Sequence, residues 1–168
     1  MKMYRVCGYG SGRGEFVSRL AGELSFRQIE FAAIKYAHKP FDLDKQGSET
    51  SNLRQSGCRQ TLIANRDRWG LMCETPGESE PDPIKLAEHL AECDLVLAIG
   101  FDSAPLPGLE VIRADNSTEP LYRRDPLIRT VVIDGDLPAD VPFSFSYSDT
   151  ENIVSHILDQ AEPIALKR

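Results

Sequence analysis

The sequence has no apolar run long enough to cross a membrane and no apolar leader at its start. Its longest purely apolar stretches, such as Leu95 to Ile99, are far shorter than the roughly 20 residues that a spanning helix needs. Glycines and polar residues interrupt the N-terminal segment where a signal peptide would carry its apolar region. We therefore expect a cytoplasmic protein that does not associate with membranes.

Cysteine is scarce, and its spacing excludes the common zinc motifs. No two cysteines form a C-x-x-C pair, and a chain of this length does not need a disulfide framework. We expect free thiols at all four positions, which are Cys7, Cys58, Cys73 and Cys93. His38 lies close in sequence to Asp42 and Asp44, but that spacing is not specific for a metal, so no metal site is predicted.

Basic residues are also in deficit. Lysine and arginine total 19 against 26 aspartates and glutamates, which gives a net charge of −7. An acidic surface repels phosphate backbones and argues against nucleic-acid binding, although one local loop can still hold a small nucleotide. The length of 168 residues and the 41% hydrophobic content predict a single domain over residues 1–168.

Strands alternate with helices along most of the chain. Apolar runs at residues 3–8, 29–34, 94–99, 109–112 and 130–133 predict strands, and a helical pattern follows the first of them at Phe16, Val17, Leu20 and Leu24. Such alternation predicts an α/β fold with a mostly parallel sheet and helices on both faces. Residues 60–64 and 69–74 are the exception and predict an antiparallel hairpin.

Two further helices have recognisable starts. Asp82 and Pro83 predict a helix that ends near Cys93 and buries Ala91. Ser148 and Glu151 predict a capping box at the start of the last helix.

A glycine-rich turn, residues 8–14, joins the first strand to the first helix, which is the setting of a phosphate-binding loop. Against the pattern G-x-x-x-x-G-K-[ST], only Gly12 is as expected. Arg13 stands at the lysine position and Gly14 at the hydroxyl position that would ligate Mg²⁺. A tight strand–helix turn without a ligand is the alternative, and no G-x-G-x-x-G starts at Gly8 or Gly10 to support a dinucleotide fold.

Three motifs in the middle of the chain carry a resemblance. They are Ile34-Lys35-Tyr36-Ala37-His38, Asp42-Leu43-Asp44-Lys45-Gln46-Gly47 and Leu53-Arg54-Gln55-Ser56-Gly57. Together they resemble the I-K-x-x-H, D-x-D-K-x-G and L-R-x-x-G pattern of the molybdopterin-guanine dinucleotide biosynthesis protein B (MobB) family. The likeness continues in the hairpin and in Asp136-Leu137-Pro138, so it spans most of the chain.

The resemblance implies a three-layer fold of the P-loop NTPase type and a GTP-binding accessory protein, typically a homodimer. Such a protein assists the guanylyltransferase that joins GMP to molybdopterin. The implied ligand-binding residues are Gly10, Ser11, Gly12, Arg13 and Gly14 for the phosphates, Lys35, His38, Asp42, Asp44 and Lys45 along the cleft, and Asp136 for guanine.

The sequence departs from the family at four informative positions. Besides Arg13 and Gly14, Ile99 stands where the family has glutamate, and Asp102 stands where it has lysine. Lysine, Ser/Thr and an acidic residue form the machinery that holds Mg²⁺ and stabilises phosphoryl transfer. We therefore predict no catalytic residue, weak or absent GTP hydrolysis and no firmly held Mg²⁺.

Three functions remain open at this point. The first is a nucleotide- or phosphate-binding accessory protein of molybdenum-cofactor biosynthesis. The second is a working GTPase or small kinase that uses Arg13, Asp102 or Asp134 as substitutes. The third is an interaction module without a nucleotide. For any of them we predict a homodimer through the hairpin, whose apolar side chains point to both faces: Leu62, Ile63, Trp69, Leu71 and Met72.

Overall fold

The computed structural model of the chain describes residues 1–8, 12–77, 80–113, 118–136, 140–141 and 143–166. The chain divides into two compact units, which we call the sheet unit (residues 1–36 and 82–168) and the hairpin unit (residues 37–81). The single domain expected over residues 1–168 stays a prediction.

The strands, in chain order, are β1 (Lys2–Cys7), β2 (Phe31–Lys35), β3 (Gln60–Ala64), β4 (Trp69–Cys73), β5 (Leu95–Ile99), β6 (Gly108–Arg113), β7 (Ile128–Asp134), β8 (Phe143–Ser146) and β9 (Glu162–Pro163). The helices are α1 (Gly12–Phe26), α2 (Glu49–Gln55), α3 (Pro83–Ala87) and α4 (Thr150–Gln160), and Leu121–Arg123 form a 3-10 turn.

The sheet unit is built on a seven-stranded sheet in the order β2-β5-β1-β6-β7-β8, and all neighbours along that path are parallel. The seventh strand, β9, pairs antiparallel with the start of β1, and Met3 of β1 lies opposite Glu162 of β9. Because β1 lies in the middle, its residues from Met3 onward are all buried. The predicted α/β fold of the P-loop NTPase type is confirmed.

Alternation along the strands divides the core between two faces of this sheet. Tyr4 and Val6 face α1 and α4, where they pack against Leu20, Ile153 and other apolar side chains. Met3 faces the opposite side, where it belongs to a cluster with Ala87 of α3. Helices therefore lie on both faces of the sheet, as the alternating pattern predicted.

Two details of the helices differ from prediction. The helix that starts at Pro83 ends at Ala87, because the next amides bond three residues back instead of four, and Ala91 is exposed. The last helix has Asp149 as its N-cap and no capping box at Ser148. The Asp149 carboxylate accepts from the Asn152 side chain at 2.9 Å, and the Ser148 hydroxyl pairs with that of Ser146.

The hairpin unit consists of α2 and the antiparallel pair β3–β4, with Gln60 opposite Cys73. Ser48 caps α2 by accepting from the Ser51 amide, and Asn65 closes the hairpin turn by accepting from the Asp67 and Arg68 amides. Among the described residues of this unit, no hydrophobic side chain is buried. The predicted antiparallel hairpin is confirmed.

No helix in the described part of the chain is both long enough and apolar enough to span a membrane.

Candidate functional site

β1 leaves the sheet at a position that requires glycine. Gly8 has φ +125°, and a Cβ placed there would lie 2.3 Å from the carbonyl oxygen of Val111 in β6. The glycine-rich turn therefore begins in close contact with the backbone of the neighbouring strand, β6. Gly10 and Ser11 lie outside the described residues, and α1 begins at Gly12, directly after them.

Arg13, the substitute for the loop lysine, lies at the ends of the central strands. Its Nη1 donates to the Gly8 carbonyl at 2.8 Å, which ties the side chain to the loop that carries it. Its guanidinium also lies beside Gly100, where an added Cβ would come within 3.3 Å of Nη2. A guanidinium has five N–H donors, so the bond to Gly8 leaves others for an anion.

A cavity of about 310 Å³ opens at this point of the sheet unit, and we call it the loop cavity. It is lined by Arg13, Gly14, Val17, Lys35 and Ile99. Lys35 and Ile99 meet there because they are paired in the parallel register of β2 and β5. Two of these lining residues are cationic and none is acidic, so the cavity suits an anion.

The same lining explains why a metal ion would be poorly held. Gly14 has no hydroxyl, and Ile99 presents an apolar side chain where a carboxylate would be needed. Three of the four departures from the family pattern, at Arg13, Gly14 and Ile99, therefore line the same cavity. No group of three or more potential metal-binding side chains occurs among the residues that the structure describes.

Asp136 is exposed and lies two residues beyond the end of β7. Its neighbours 137–139 are outside the described residues. A role in reading guanine stays a prediction.

In the hairpin unit, Arg54 gathers three carboxylates. Its guanidinium lies 2.8 Å from Asp42, 3.1 Å from Asp44 and 2.8 Å from Glu74. Asp42 and Asp44, which were predicted to line a ligand cleft, are thus held by an arginine. Arg54 belongs to the quoted motifs, and two aspartates before one arginine was the signal that could have shown its role.

His38 and Lys45 are exposed residues of the same unit, and the Lys45 carbonyl accepts from the Ser48 amide before α2. Their binding of a ligand stays a prediction. Of the predicted residues, the loop cavity brings together Arg13, Gly14 and Lys35.

A buried polar cluster in the sheet unit was missed by sequence reasoning. Arg5 in β1 is fully buried, and its Nη2 contacts the Asp125 carboxylate at 2.6 Å. Glu110 is also buried and accepts from the Leu121 and Tyr122 amides at 2.9 Å each. Burial raises the pKa of Glu110, and these two bonds oppose the rise. The available signal was a lone arginine in an otherwise buried strand.

Asp102, where the family has lysine, does not line the loop cavity. Its carboxylate lies close to Cys7, whose thiol pKa is raised mainly by burial and further by Asp102. Asp134 ends β7 as an exposed residue.

Comparison of the sequence with known proteins identifies a family. The sequence model of the family described as "Molybdopterin guanine dinucleotide synthesis protein B" matches residues 3–134. The chain is 31% identical over 136 residues to a molybdopterin-guanine dinucleotide biosynthesis adapter protein of Haemophilus influenzae, covering 80% of this chain and 76% of the relative. The namesake from Escherichia coli is 28% identical over 156 residues, covering 89% and 87%.

Solved structures agree with the fold. A crystal structure of molybdopterin-guanine biosynthesis protein B superposes with a TM-score of 0.73 at 21% identity, covering 94% of this chain and 98% of that one. A MobB homologue from Bacillus stearothermophilus gives 0.68 at 18% identity, covering 95% and 97%. Because the family match extends over residues 3–134, this chain belongs to the molybdopterin guanine dinucleotide synthesis protein B (MobB) family.

Proposed function

We propose that this protein is an adapter of molybdopterin guanine dinucleotide biosynthesis that binds GTP or a related phosphate ligand and hydrolyses little of it. Its curated relatives are named adapter proteins, and we infer that the guanylyltransferase of the pathway is its client. The free cysteines accord with a cytoplasmic location, which is part of the same proposal.

The loop cavity carries this proposal. Arg13 and Lys35 supply positive charge beside the start of α1, where helix N-termini favour anions. Gly14 and Ile99 withhold the groups that would fix Mg²⁺ and promote hydrolysis. The site therefore favours binding over turnover.

Calorimetric titration with GTP, GDP and ATP, each with and without Mg²⁺, tests the proposal. We expect guanine-selective binding that persists in a chelator, and a single-turnover assay should show negligible phosphate release. Arg13→Ala should weaken GTP binding about tenfold or more, since a hydrogen bond to a charged group is lost. Failure to bind any nucleotide would favour the interaction module, and Mg²⁺-dependent hydrolysis at ordinary rates would favour the GTPase.

Gly14→Ser is a gain-of-function test of the same cavity. Nothing lies within 4 Å of a Cβ added at Gly14, so the serine side chain fits without rearrangement. A hydroxyl at that position restores one Mg²⁺ ligand, and GTP binding should become stronger in the presence of Mg²⁺. Gly22→Ser is the control, because a Cβ there also meets nothing and lies farther along α1.

We further propose that the protein is a homodimer in which the hairpin takes part. Leu62, Ile63 and Trp69 on β3 and β4 are exposed, and apolar surface of this kind is typical of interfaces. In light scattering at tens of micromolar, a dimer has about twice the 18.7 kDa mass of the chain. A mass equal to that of one chain would contradict the proposal.

A further inference from the structure

The loop cavity presents positive charge where the P-loop fold ordinarily presents ligands for Mg²⁺. Arg13 and Lys35 line it together with Gly14, Val17 and Ile99. Mg²⁺ is held in proteins by carboxylates and other oxygen ligands, and it keeps several of its waters. None of the lining residues that the structure describes has a side-chain oxygen. The donor set of the cavity therefore does not fit Mg²⁺.

The apolar part of the lining increases this misfit. Ile99 is 7% exposed and belongs to the hydrophobic core of the sheet unit, and Val17 packs against the same core. The water shell of a Mg²⁺ ion would lose hydrogen bonds against these two side chains, which costs free energy. Because Ile99 is fixed in the core, the apolar wall is a permanent property of the cavity.

Arg13 is held in place by the protein before any ligand arrives. Its Nη1 donates to the Gly8 carbonyl at 2.8 Å. Its guanidinium also lies against Gly100, where an added Cβ would come within 3.3 Å of Nη2 and of the Tyr36 carbonyl oxygen. The remaining N–H donors can bond to the same phosphate oxygens that Mg²⁺ would coordinate. Arg13 is therefore a preorganised cation, positioned to take the place of the ion.

Lys35 contributes the second charge from a different element. It is the last residue of β2, and it lies opposite Ile99 in the parallel register with β5. Its ammonium is a compact charge on a flexible stem, and the residue is exposed at the cavity. Two cations from separate elements thus converge on one cavity, and both would repel a metal ion there.

We propose that the loop cavity binds the metal-free form of its phosphate ligand, so that Mg²⁺ in solution opposes binding. This inference rests on the proposed phosphate site and specifies which form of the ligand enters it. A Mg²⁺ ion bound to a di- or triphosphate occupies oxygens that Arg13 and Lys35 would otherwise contact, and it cancels part of the negative charge. The level of free Mg²⁺ therefore regulates how much of the protein carries a ligand.

Titration calorimetry with inorganic pyrophosphate and with GTP tests the proposal. Each ligand is titrated in a chelator and in excess Mg²⁺, with the ionic strength matched by KCl so that screening is equal. We expect the affinity to fall about tenfold or more in Mg²⁺, since the ligand loses a charge-assisted hydrogen bond. Equal or stronger binding in Mg²⁺ would overturn this inference and leave the phosphate site in place. Binding in neither condition would overturn the phosphate site itself, and the inference with it.

Gly14→Asp should reverse the response to Mg²⁺. Nothing lies within 4 Å of a Cβ added at Gly14, so the change leaves the fold intact. The new carboxylate repels a metal-free phosphate and supplies a Mg²⁺ ligand. Pyrophosphate should therefore bind about tenfold more weakly in the chelator, and Mg²⁺ should now strengthen its binding.

Two matched variants control for shape and for charge. Gly14→Asn has the same shape without the charge, and Mg²⁺ should still weaken its binding of pyrophosphate. Gly22→Asp places the charge farther along α1, at another position where an added Cβ meets nothing, and it should keep the affinities of the parent. A Gly14→Asp variant whose binding Mg²⁺ still weakens would contradict the proposal.

Lys35→Met tests the second cation. It removes the charge and keeps a stem of similar length, so the affinity for pyrophosphate in the chelator should fall about tenfold. The affinity in Mg²⁺ should change less, because the complexed ligand carries less charge, and the two conditions should converge. Lys39→Met removes an exposed lysine that does not line the cavity, and this control should match the parent. Unchanged affinity of Lys35→Met in the chelator would overturn the role of Lys35 as a substitute for the ion.

Discussion

The sheet unit and the hairpin unit place their apolar residues in opposite ways. In the sheet unit, β1 and β5 are almost wholly buried and pack against helices. In the hairpin unit, the large apolar side chains of the described residues are exposed or partly so, and Trp69 is 65% exposed. One unit is therefore stabilised by its own core, whereas the other presents apolar surface that a second molecule can cover.

The arginine contacts of the two units also differ in burial. Arg5 in the sheet unit is enclosed and serves two acceptors inside the fold. Arg54 in the hairpin unit joins carboxylates that are partly open to solvent, and it links the loop before α2 to the end of β4. Ion pairs therefore hold a segment that has too little buried apolar area to order itself.

The largest expected effect is in the core of the sheet unit. Leu20 on α1 is fully buried, so Leu20→Ala should lower the free energy of unfolding by about 2–5 kcal/mol. Leu62→Ala is the matched change in the hairpin unit, where the side chain is 58% exposed, and it should have little effect on a monomer. Urea denaturation of both variants, at a protein concentration low enough for the monomer to predominate, compares the two units, and equal losses of unfolding free energy would contradict the contrast between them.

Trp69→Ala tests whether a second copy covers the hairpin. An aromatic residue at the centre of an interface contributes about 2 kcal/mol or more, so the dissociation constant should rise roughly thirtyfold. Sedimentation equilibrium measures it, and Phe26→Ala, which removes an exposed aromatic from α1, is the control. An undiminished dimer would move the interface away from the hairpin.

Arg54→Ala should release the loop before α2. Asp42, Asp44 and Glu74 would be left as neighbouring like charges, and the Asp44 amide, which donates to Asp42 Oδ1, should exchange hydrogen faster. High salt should produce a weaker form of the same change in the parent protein, because screening reduces ion pairing. Arg66→Ala removes only a more exposed pair with Asp67, and its exchange pattern should match that of the parent.

The smallest expected effect is a pH dependence in the sheet unit. His156 contacts Phe143 and Phe145, its Nε2 lies 2.7 Å from Thr130 Oγ1, and burial lowers its pKa below the ordinary 6.5. The unfolded chain therefore takes up the proton first as pH falls. This contribution to stability is complete above pH 6.5 and is lost as pH falls from 6.5 toward the lower pKa of the folded state.

His156→Gln should flatten that part of the profile in urea titrations performed from pH 7.5 downward. His89→Gln changes an exposed histidine and should keep the slope of the parent. If the unfolding free energy of the parent and of the His156→Gln variant changed equally with pH, the pH dependence would not arise from His156.

Periodicity was sufficient for most of the fold. The buried run at Leu95–Ile99 and the two hairpin strands separated by a short polar turn leave local signals in the sequence, and both were predicted correctly. The C-terminal end of α3 and the cap of α4 were not predicted, because backbone bonds to the residue three positions back end α3 and the Asn152 side chain takes the Asp149 carboxylate at α4. Neither the backbone bonds that end α3 nor the Asn152–Asp149 bond produces a periodic pattern in the sequence.

The sites were predictable only where the motif itself names the residues. The loop cavity assembles Arg13 and Gly14 from the glycine-rich turn with Lys35 from the next strand. The buried ion pair joins Arg5 in β1 to Asp125 in the segment before β7, and these two residues are far apart in sequence. Charge patterns along a chain cannot show such a pair.

The pairing of β9 with β1 has a consequence for synthesis on the ribosome. Met3 is made before Glu162, with all of the other described strands between them, yet the two residues are neighbours in the sheet, and the Ile164 amide donates to the Met1 carbonyl. The start of β1 therefore lacks this neighbour until β9 has been translated. A contact between residues so far apart in sequence raises the contact order of the fold, and a high contact order slows folding and prolongs the exposure of unpaired strands to aggregation.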